Sequence, residues 1–456
     1  MCSSDLISLV HVAGGAEVSV RIGASLVFDR EFVAGLDPYE RRLAMGAATR
    51  DDVTTNFDVR DVRFEQAGKA AHRRPPLHVE LFNHVRSDSA KTSFEAEVEL
   101  PPIDWAFSRV LATLDLHDGG KMWDEWDRNA ELSIVLPDGR RLGIVPFITS
   151  YRVAARWVVD VTHFRSLLAG KVRFELAAGT SFYKNRGYLI SVSLDFHHGV
   201  PALEPFRVEP LWIGTAHYGS DTAPFADLFA ASRTVVIDPA ATSARLFVTT
   251  TGHSQVGEFT PSRRAITVRG GTAAPQRFEN LLWRDDNWLN PVRPQFGTWK
   301  YSRAGWAPGD VVRPWWIDLG NTLAPGEKAE FSYQPYAYEF DAGQPRPTEK
   351  ELKEANQVVR SYLMLYRPPQ GLKSAPTLQI LDTVAGGVAA KAGIRAGDYL
   401  LNYNGSAVDT PDELRAGIAK AQKAGQASVK ITLVRGSERI GLELPAARLG
   451  VQFTPN

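Results

Sequence analysis

Within six residues, Trp123-Asp124-Glu125-Trp126-Asp127-Arg128, the chain places three carboxylates, two indoles and a guanidinium. A carboxylate can act as base or nucleophile, and flat aromatic faces stack on pyranose rings. The block therefore has the parts of a sugar-processing site. The same residues would serve equally in a wet strand end or turn with a partly buried tryptophan. Taken alone, the block reads as such a strand end or turn.

Three further blocks share this composition. One is Thr250-Thr251-Gly252-His253-Ser254, followed by Gly257-Glu258-Phe259. The next is Trp283-Arg284-Asp285-Asp286-Asn287-Trp288-Leu289-Asn290-Pro291-Val292. The last comprises Gly297-Thr298-Trp299, Ser302-Arg303-Ala304-Gly305-Trp306-Ala307-Pro308-Gly309 and Trp315-Trp316-Ile317-Asp318. Six of the eleven tryptophans fall between Trp283 and Trp316, flanked by Arg, Asp, Asn and Gly rather than Val and Leu. That flanking predicts loops around a cleft with at least two of these rings exposed, against the ordinary expectation that aromatics are core. Asp127 and Glu258 stand 131 positions apart, so only an interface between domains would bring them together, and such interfaces commonly hold sites.

The elements that must carry these residues read as strands. Phe94 to Leu100, Ala130 to Leu136 and Tyr188 to Phe196 alternate apolar and polar residues at period two. Asp118-Gly119-Gly120, Pro137-Asp138-Gly139 and Arg269-Gly270-Gly271 supply turns between strands. Helical periodicity is scarce before residue 348. The pattern predicts a mainly β chain of antiparallel sandwiches or jelly rolls. A length of 456 residues suggests roughly three domains of about 100–200 residues. Near residue 341 the character changes to a linker, Asp341 to Thr348. Thr348 is then placed to N-cap a helix running from Glu349 to Leu365, with Leu352, Val358, Val359 and Leu363 on helical spacing.

Lys+Arg and Asp+Glu balance at 52 each, which predicts no nucleic-acid partner, and no apolar run is long enough for a membrane span. The single cysteine, Cys2, excludes an intrachain disulfide. Met1-Cys2-Ser3-Ser4-Asp5 has no signal-peptide character. It reads either as the mature start of a lipid-anchored lipoprotein or as an accidental cysteine.

In their order along the chain, the four blocks resemble the peptide-N-glycosidase F family, from about Val79 to Phe340. The carrying motifs are Asp-Glu-Trp-Asp-Arg at 124–128, Gly-His at 252–253, Glu258, Asn-Pro at 290–291 and Arg-Ala-Gly-Trp-x-Pro-Gly at 303–309. Phe147-Ile148-Thr149 and Asp160-Val161-Thr162-His163-Phe164 fit the same pattern. The resemblance implies two jelly rolls side by side, over 78–205 and 206–340. Residues 1–77 lie outside it; Val18 to Ile22, Leu26 to Phe32 and Phe57 to Phe64 alternate like strands and predict an accessory β segment. It implies hydrolysis of the amide between asparagine and the first N-acetylglucosamine of an N-glycosylated peptide or protein, without cofactor or metal. By the same resemblance Asp127 is the catalytic acid, Glu258 a second acid from the other jelly roll, and Arg303 the arginine at the cleft. Trp126, Arg128, Tyr183, His253 and Trp306 fall on the substrate side. An extracytoplasmic location is likewise implied: periplasmic, secreted or lipid-anchored through Cys2.

The chain departs from the family at several points. Ser181 and Tyr183 stand where a Glu-x-Trp pair is expected, Thr251 replaces a tryptophan before Gly-His, and Trp123, Thr260 and Ala307 replace half-cystines. These departures sustain a second reading, a non-catalytic glycan-binding or scaffold protein. A third, a copper-dependent monooxygenase of jelly-roll architecture, needs histidine clusters and a methionine ligand. His197-His198 is the one adjacent pair, strand geometry points the two to opposite faces, and there are four methionines.

Residues 372–456 resemble a bacterial PDZ domain, an α+β module, after a linker and helix over 341–371. The carrying features are Gly386-Gly387 leading a short small-residue helix, Ala396-Gly397-Asp398, the Asn404-Gly405 turn, and Thr410-Pro411 opening a second helix. The resemblance implies capture of a peptide or protein C-terminus by strand addition. Two segments could supply the carboxylate loop: Gln370 with Gly371 and Leu372, or Arg448 with Leu449, Gly450 and Val451.

Overall fold

In a computed structural model the described residues are the strands within 6–34 and 62–63, then 76–456 apart from 118–122, 180–185, 271–273, 321, 342, 344, 436–437 and 454–456. The chain divides into two compact units at Arg74/Pro75. In the first unit, β1 (Leu6–Val12), β2 (Gly15–Ile22), β3 (Ser25–Ala34) and β4 (Val62–Arg63) form a sheet in the order β3-β2-β1-β4. Strands expected over Val18 to Ile22 and Leu26 to Phe32 fall in β2 and β3. The one expected over Phe57 to Phe64 lies mostly outside the described residues.

The second unit begins with β5 (Leu77–Asp88), β6 (Ser93–Leu100), β7 (Trp105–His117), β8 (Asn129–Val135), β9 (Arg141–Ile148), β10 (Ala155–Asp160), β11 (Gly170–Ala178) and β12 (Gly187–His198). They form two facing antiparallel sheets, one ordered β10-β7-β12-β5 and the other containing β9-β8-β11-β6. Alternation drives the arrangement. In β12, Ile190, Val192, Leu194 and Phe196 are buried while Ser191, Ser193 and Asp195 between them are half-buried.

A second pair of sheets follows. Its elements are β13 (Glu204–His217), α1 (Ala226–Phe229), β14 (Arg233–Val236), β15 (Ser243–His253), α2 (Ser254–Phe259), β16 (Ser262–Gly270) and β17 (Gln276–Leu282). Then come β18 (Asp310–Val311), β19 (Trp315–Gly320), β20 (Lys328–Tyr338), α3 (Glu349–Glu354) and β21 (Asn356–Arg367). The sheets are ordered β13-β21-β15-β19 and β14-β20-β16-β17. The short β18 instead pairs with β9 of the first sandwich.

The expected linker and helix over 341–371 are corrected here. Thr348 does cap a helix, accepting a hydrogen bond from the Glu351 N–H at 3.3 Å. The helix stops at Glu354, and 356–367 is a strand between β13 and β15. Val359, Leu363 and Leu365 join the core of the second sandwich, whereas Tyr362, Met364 and Tyr366 join the core of the first. A strand buried on both faces reads as a continuous apolar run, and its spacing then does not tell strand from helix.

The last elements are β22 (Lys373–Ser374), β23 (Leu378–Thr383), α4 (Val388–Lys391), β24 (Tyr399–Tyr403), β25 (Ser406–Ala407), α5 (Pro411–Lys423), β26 (Ser428–Arg435), β27 (Glu438–Pro445) and β28 (Val451–Phe453). The sheet runs β27-β26-β24-β23-β28. Asp398 is buried and takes both Nε and Nη2 of Arg435, at 2.7 and 2.8 Å, and the Arg395 N–H at 2.8 Å. This module is docked on the first sandwich. Strand β22 pairs with Trp105 and Ala106, the Trp105 ring meets Tyr399 edge-on at 5.9 Å, and Val434 enters the first core. Among the described residues no helix is long and apolar enough to cross a membrane.

Leu363 has no exposed surface. Leu363→Ala should therefore cost about 2–5 kcal/mol, the range for a buried leucine. A thermal melt showing no loss would mean that 356–367 is not a core strand.

Candidate active site

The acidic block is a turn organised by its first acid. Asp124 is completely buried, its Oδ1 accepts the Trp126 N–H at 3.0 Å and its Oδ2 accepts Arg128 Nε at 3.0 Å. Thr149 Oγ1 accepts the Arg128 N–H at 2.8 Å, which ties the turn to the end of β9. Glu125 pairs with Arg186 and lies 3.8 Å from Arg152. With Asp124 and Glu125 engaged, Asp127 is the acid left facing inward. It keeps 11% of its side-chain surface, and its Oδ2 has no hydrogen-bond partner among the described residues.

Arg303 stands opposite, with no exposed surface. Its Nε donates to Glu258 Oε1 at 2.7 Å. Its Nη1 donates to the carbonyls of Thr298 (3.0 Å) and Tyr301 (2.8 Å). Its Nη2 donates to Thr298 Oγ1 at 2.9 Å and lies 3.7 Å from Asp127 Oδ2. The guanidinium also packs over Trp306 at 4.9 Å and Phe259 at 5.3 Å. Its backbone is held by reciprocal bonds with Arg284, and the next residue donates to the Glu258 carbonyl at 2.9 Å. Gly305, at φ +83°, is required: a Cβ there would lie 2.2 Å from the Thr250 carbonyl.

Thus the structure brings Asp127, on the first sandwich, and Glu258, on α2 of the second, to one buried guanidinium. With both acids ionised the trio would be net negative; with one proton it is neutral. Burial pushes Glu258 up to about 7, against the pull of Arg303, and the nearby Asp127 charge pushes it further. Burial likewise raises Asp127, opposed by Arg303 and the Tyr151 hydroxyl. Such a pair can hold one acid charged as a base and the other protonated as an acid near neutrality.

Other expected site residues fall differently. Trp126 is 52% exposed beside Asp127 and offers a free aromatic face. Trp306 is corrected: only 4% exposed, it donates from Nε1 to the Gly252 carbonyl at 2.8 Å and supports Arg303 from beneath, so burial removes it from substrate contact. His253 stacks on Trp306, and its Nε2 meets Thr251 Oγ1 at 2.7 Å. Burial pushes its pKa down to about 4, so it is neutral at ordinary pH. Arg128 is bound to Asp124. Tyr183 and Ser181 lie outside the described residues. Of the six clustered tryptophans, Trp288 is exposed and Trp299 and Trp306 are buried, so the expected pair of exposed rings reduces to one. Thr298, in the last of the four blocks, and Tyr151 frame Arg303 and Asp127; Tyr151 lies in no motif, although it follows the Phe147-Ile148-Thr149 match by two residues. No three His, Cys, Asp or Glu side chains converge as a metal site among the described residues.

In the C-terminal module the two candidate loops separate. Gly371 and Leu372 lead into β22 on the first sandwich, so their expected place in a peptide groove is corrected. The Leu449 carbonyl accepts the Ala389 N–H and the Gly450 carbonyl the Val384 N–H, each at 2.8 Å, and Gly450 adopts φ +68°. Both residues lead into β28, the edge strand.

Residues 225–364 match the family model described as peptide-N-glycosidase F, C terminal, and residues 379–435 match a PDZ domain. A similar curated protein is the peptide-N(4)-(N-acetyl-beta-D-glucosaminyl)asparagine amidase F of Elizabethkingia miricola. It is 28% identical over 276 residues, spanning 57% of this chain and 77% of the relative. Among solved structures, PNGase F, described as a glycosylasparaginase from Flavobacterium meningosepticum, superposes with a TM-score of 0.52 at 21% identity, covering 64% of this chain and 96% of that one. A structure of the asparagine amidase gives a TM-score of 0.52 at 20% identity, covering 65% and 98%. At these identities the superpositions speak to fold, and the mainly β, peptide-N-glycosidase F-like fold with a C-terminal PDZ domain is as the sequence led one to expect.

Because folding raises Glu258, its contribution to stability is present below about pH 4.5 and is lost as pH rises to about 7. Glu258→Gln removes that loss. Melting temperatures across this window should show the variant gaining on the wild type as pH rises; a flat difference contradicts the assignment.

Proposed function

We propose that this protein is an amidase that hydrolyses the bond between asparagine and N-acetylglucosamine in N-glycosylated peptides or proteins. The supporting observation is the convergence of Asp127 and Glu258, from two sandwiches, on the buried Arg303. Similarity to the asparagine amidase gives the coarser support of an N-glycanase-like hydrolase.

The chemistry is a hydrolysis at an unreactive amide. The ionised Asp127 takes a proton from water as the water oxygen bonds to the asparagine side-chain carbonyl carbon. Glu258, held near neutrality and therefore able to carry a proton, gives it to the departing glycosylamine nitrogen as the C–N bond breaks. Aspartate and a glycosylamine result. The positive charge of Arg303 stabilises the negative charge that develops as the oxyanion forms. The free face of Trp126 suits an N-acetylglucosamine ring beside the reacting amide.

The PDZ module extends this reading. Its edge strand β28 suits addition of an extended peptide, with Leu449 and Gly450 at the turn that would meet a terminal carboxylate. A glycoprotein substrate bearing such an end, or a partner protein, would be held near the cleft. N-linked glycoproteins are met outside the cytoplasm, and we place the protein there, whether periplasmic, secreted or lipid-anchored.

A second reading, glycan binding without turnover, is favoured by Thr251. Its hydroxyl serves His253, so no aromatic face stands at that point. Mass spectrometry of an incubated glycopeptide separates the two: turnover gives the one-unit mass gain of asparagine becoming aspartate, and binding alone gives none. Asp127→Asn should cut the rate by about 10²–10⁴-fold, the usual weight of a general base. It should not lower the melting temperature, since it replaces a desolvated charge with an isostere. Retained turnover in that variant contradicts the role given to Asp127.

A further inference from the structure

The two acids belong to different sandwiches, so something must fix how far apart the sandwiches hold them. We propose that Arg360 and Glu131 are positioning residues for this site: a two-pronged ionic clamp across the seam that sets the spacing of Asp127 and Glu258. The role in catalysis rests on the amidase reading above.

Arg360 Nε lies 2.8 Å from Glu131 Oε2, and its Nη2 lies 3.1 Å from Oε1. Both side chains are more than four-fifths buried. A forked pair fixes angle as well as distance, and a screened seam keeps it from being loosened by solvent. Each partner sits directly along a strand from the chemistry. Glu131 is on β8, four residues after Asp127. Arg360 is on β21 and opposes Thr249 of β15, the strand that ends at His253 and hands over to the helix carrying Glu258. A change in the clamp is therefore passed along two rigid strands to both acids.

The surroundings are built for this carboxylate. A Cβ at Gly143 would fall 2.3 Å from Glu131 Oε2, so the missing side chain there leaves the space that the carboxylate fills. Ser133 Oγ donates to Glu131 Oε1 at 2.9 Å and so orients it further. Two residues beyond Arg360, the Tyr362 hydroxyl donates to the Gly143 carbonyl at 2.9 Å, closing the same patch from the other side. At the site itself the two sides also meet, where the Tyr151 N–H donates to Gln295 Oε1 at 3.0 Å and the Tyr151 hydroxyl lies 3.2 Å from Thr298 Oγ1, while Arg303 and Asp127 stand 3.7 Å apart. The clamp adds a forked ionic contact to these single hydrogen bonds, and it lies on the strands that lead to the two acids.

The test uses the full chain with Arg360→Lys, which keeps the charge and loses the fork, and Glu131→Asp, which withdraws the carboxylate by one methylene. Two readouts are taken: steady-state kinetics on a glycopeptide, and carboxyl ¹³C NMR titration of Asp127 and Glu258. The clamp predicts a fall in kcat of up to about 100-fold with KM held, as for a small misplacement of reacting groups. It also predicts displaced titration of the two acids, at a melting temperature close to wild type. Unmoved titration in either folded variant overturns the proposal, as does unchanged kcat or a rate loss that merely follows a lowered melting temperature. If the wild type turns over no glycopeptide, the amidase reading falls, and the titration alone decides the clamp.

Discussion

The strand Asn356–Arg367 is the constraint on which the rest depends. Its odd-numbered apolar residues, Val359, Leu363 and Leu365, complete one core, and Tyr362, Met364 and Tyr366 complete the other. Neither sandwich can shift without dragging an apolar side chain out of its partner. Strand β15 repeats the device, with Leu246 and Val248 on one side and Phe247 on the other. A joint made of interdigitated cores is stiff because close-packed interiors resist small displacements. Such a joint can keep two acids from different sandwiches at a fixed separation.

On that frame the site is an electrostatic problem with one solution. Arg303 is stripped of solvent, and its donors are divided among two backbone carbonyls, the Thr298 hydroxyl and Glu258. A guanidinium so anchored does not follow its counter-ions, so the acids must come to it. Asp127 does so at a longer distance, with one oxygen unpartnered. The consequence is an asymmetric pair: one carboxylate tied down, the other desolvated with one buried oxygen left without a partner among the described residues. Burial raises both, and the Asp127 charge raises Glu258 further.

Much of this was legible in the chain, for definable reasons. Asp127, Glu258 and Arg303 could be picked out because they sit in composite blocks whose order is specific. The PDZ domain was legible because its turns need Gly, Asn and Pro at fixed places, and Thr348 and Thr410 announced their capping boxes. What failed were features set by tertiary contact. Residues 356–367 looked helical because two-sided burial erases the period of a strand. Trp306 looked like a sugar platform because a tryptophan among polar residues reads the same whether it faces solvent or supports an arginine. Gly371 and Leu372 fitted a loop motif, but β22 carries them to the edge of β7. Tyr151, beside Asp127, lies in no motif of its own, and the Phe147-Ile148-Thr149 match two residues before it gives it no chemical role.

The PDZ module is fixed to the first sandwich through Trp105, Tyr399 and Val434, so its edge strand holds a set position relative to the cleft. The central claim remains the pairing of two acids across one arginine as the place where the amide is cut. The most direct measurement is a crystal structure of the Asp127→Asn chain with a bound N-glycosylated asparagine peptide. The asparagine–sugar amide should lie between residue 127 and Glu258, with the first sugar ring against Trp126. A glycan bound elsewhere, or residue 127 and Glu258 separated by the width of the cleft, would contradict it.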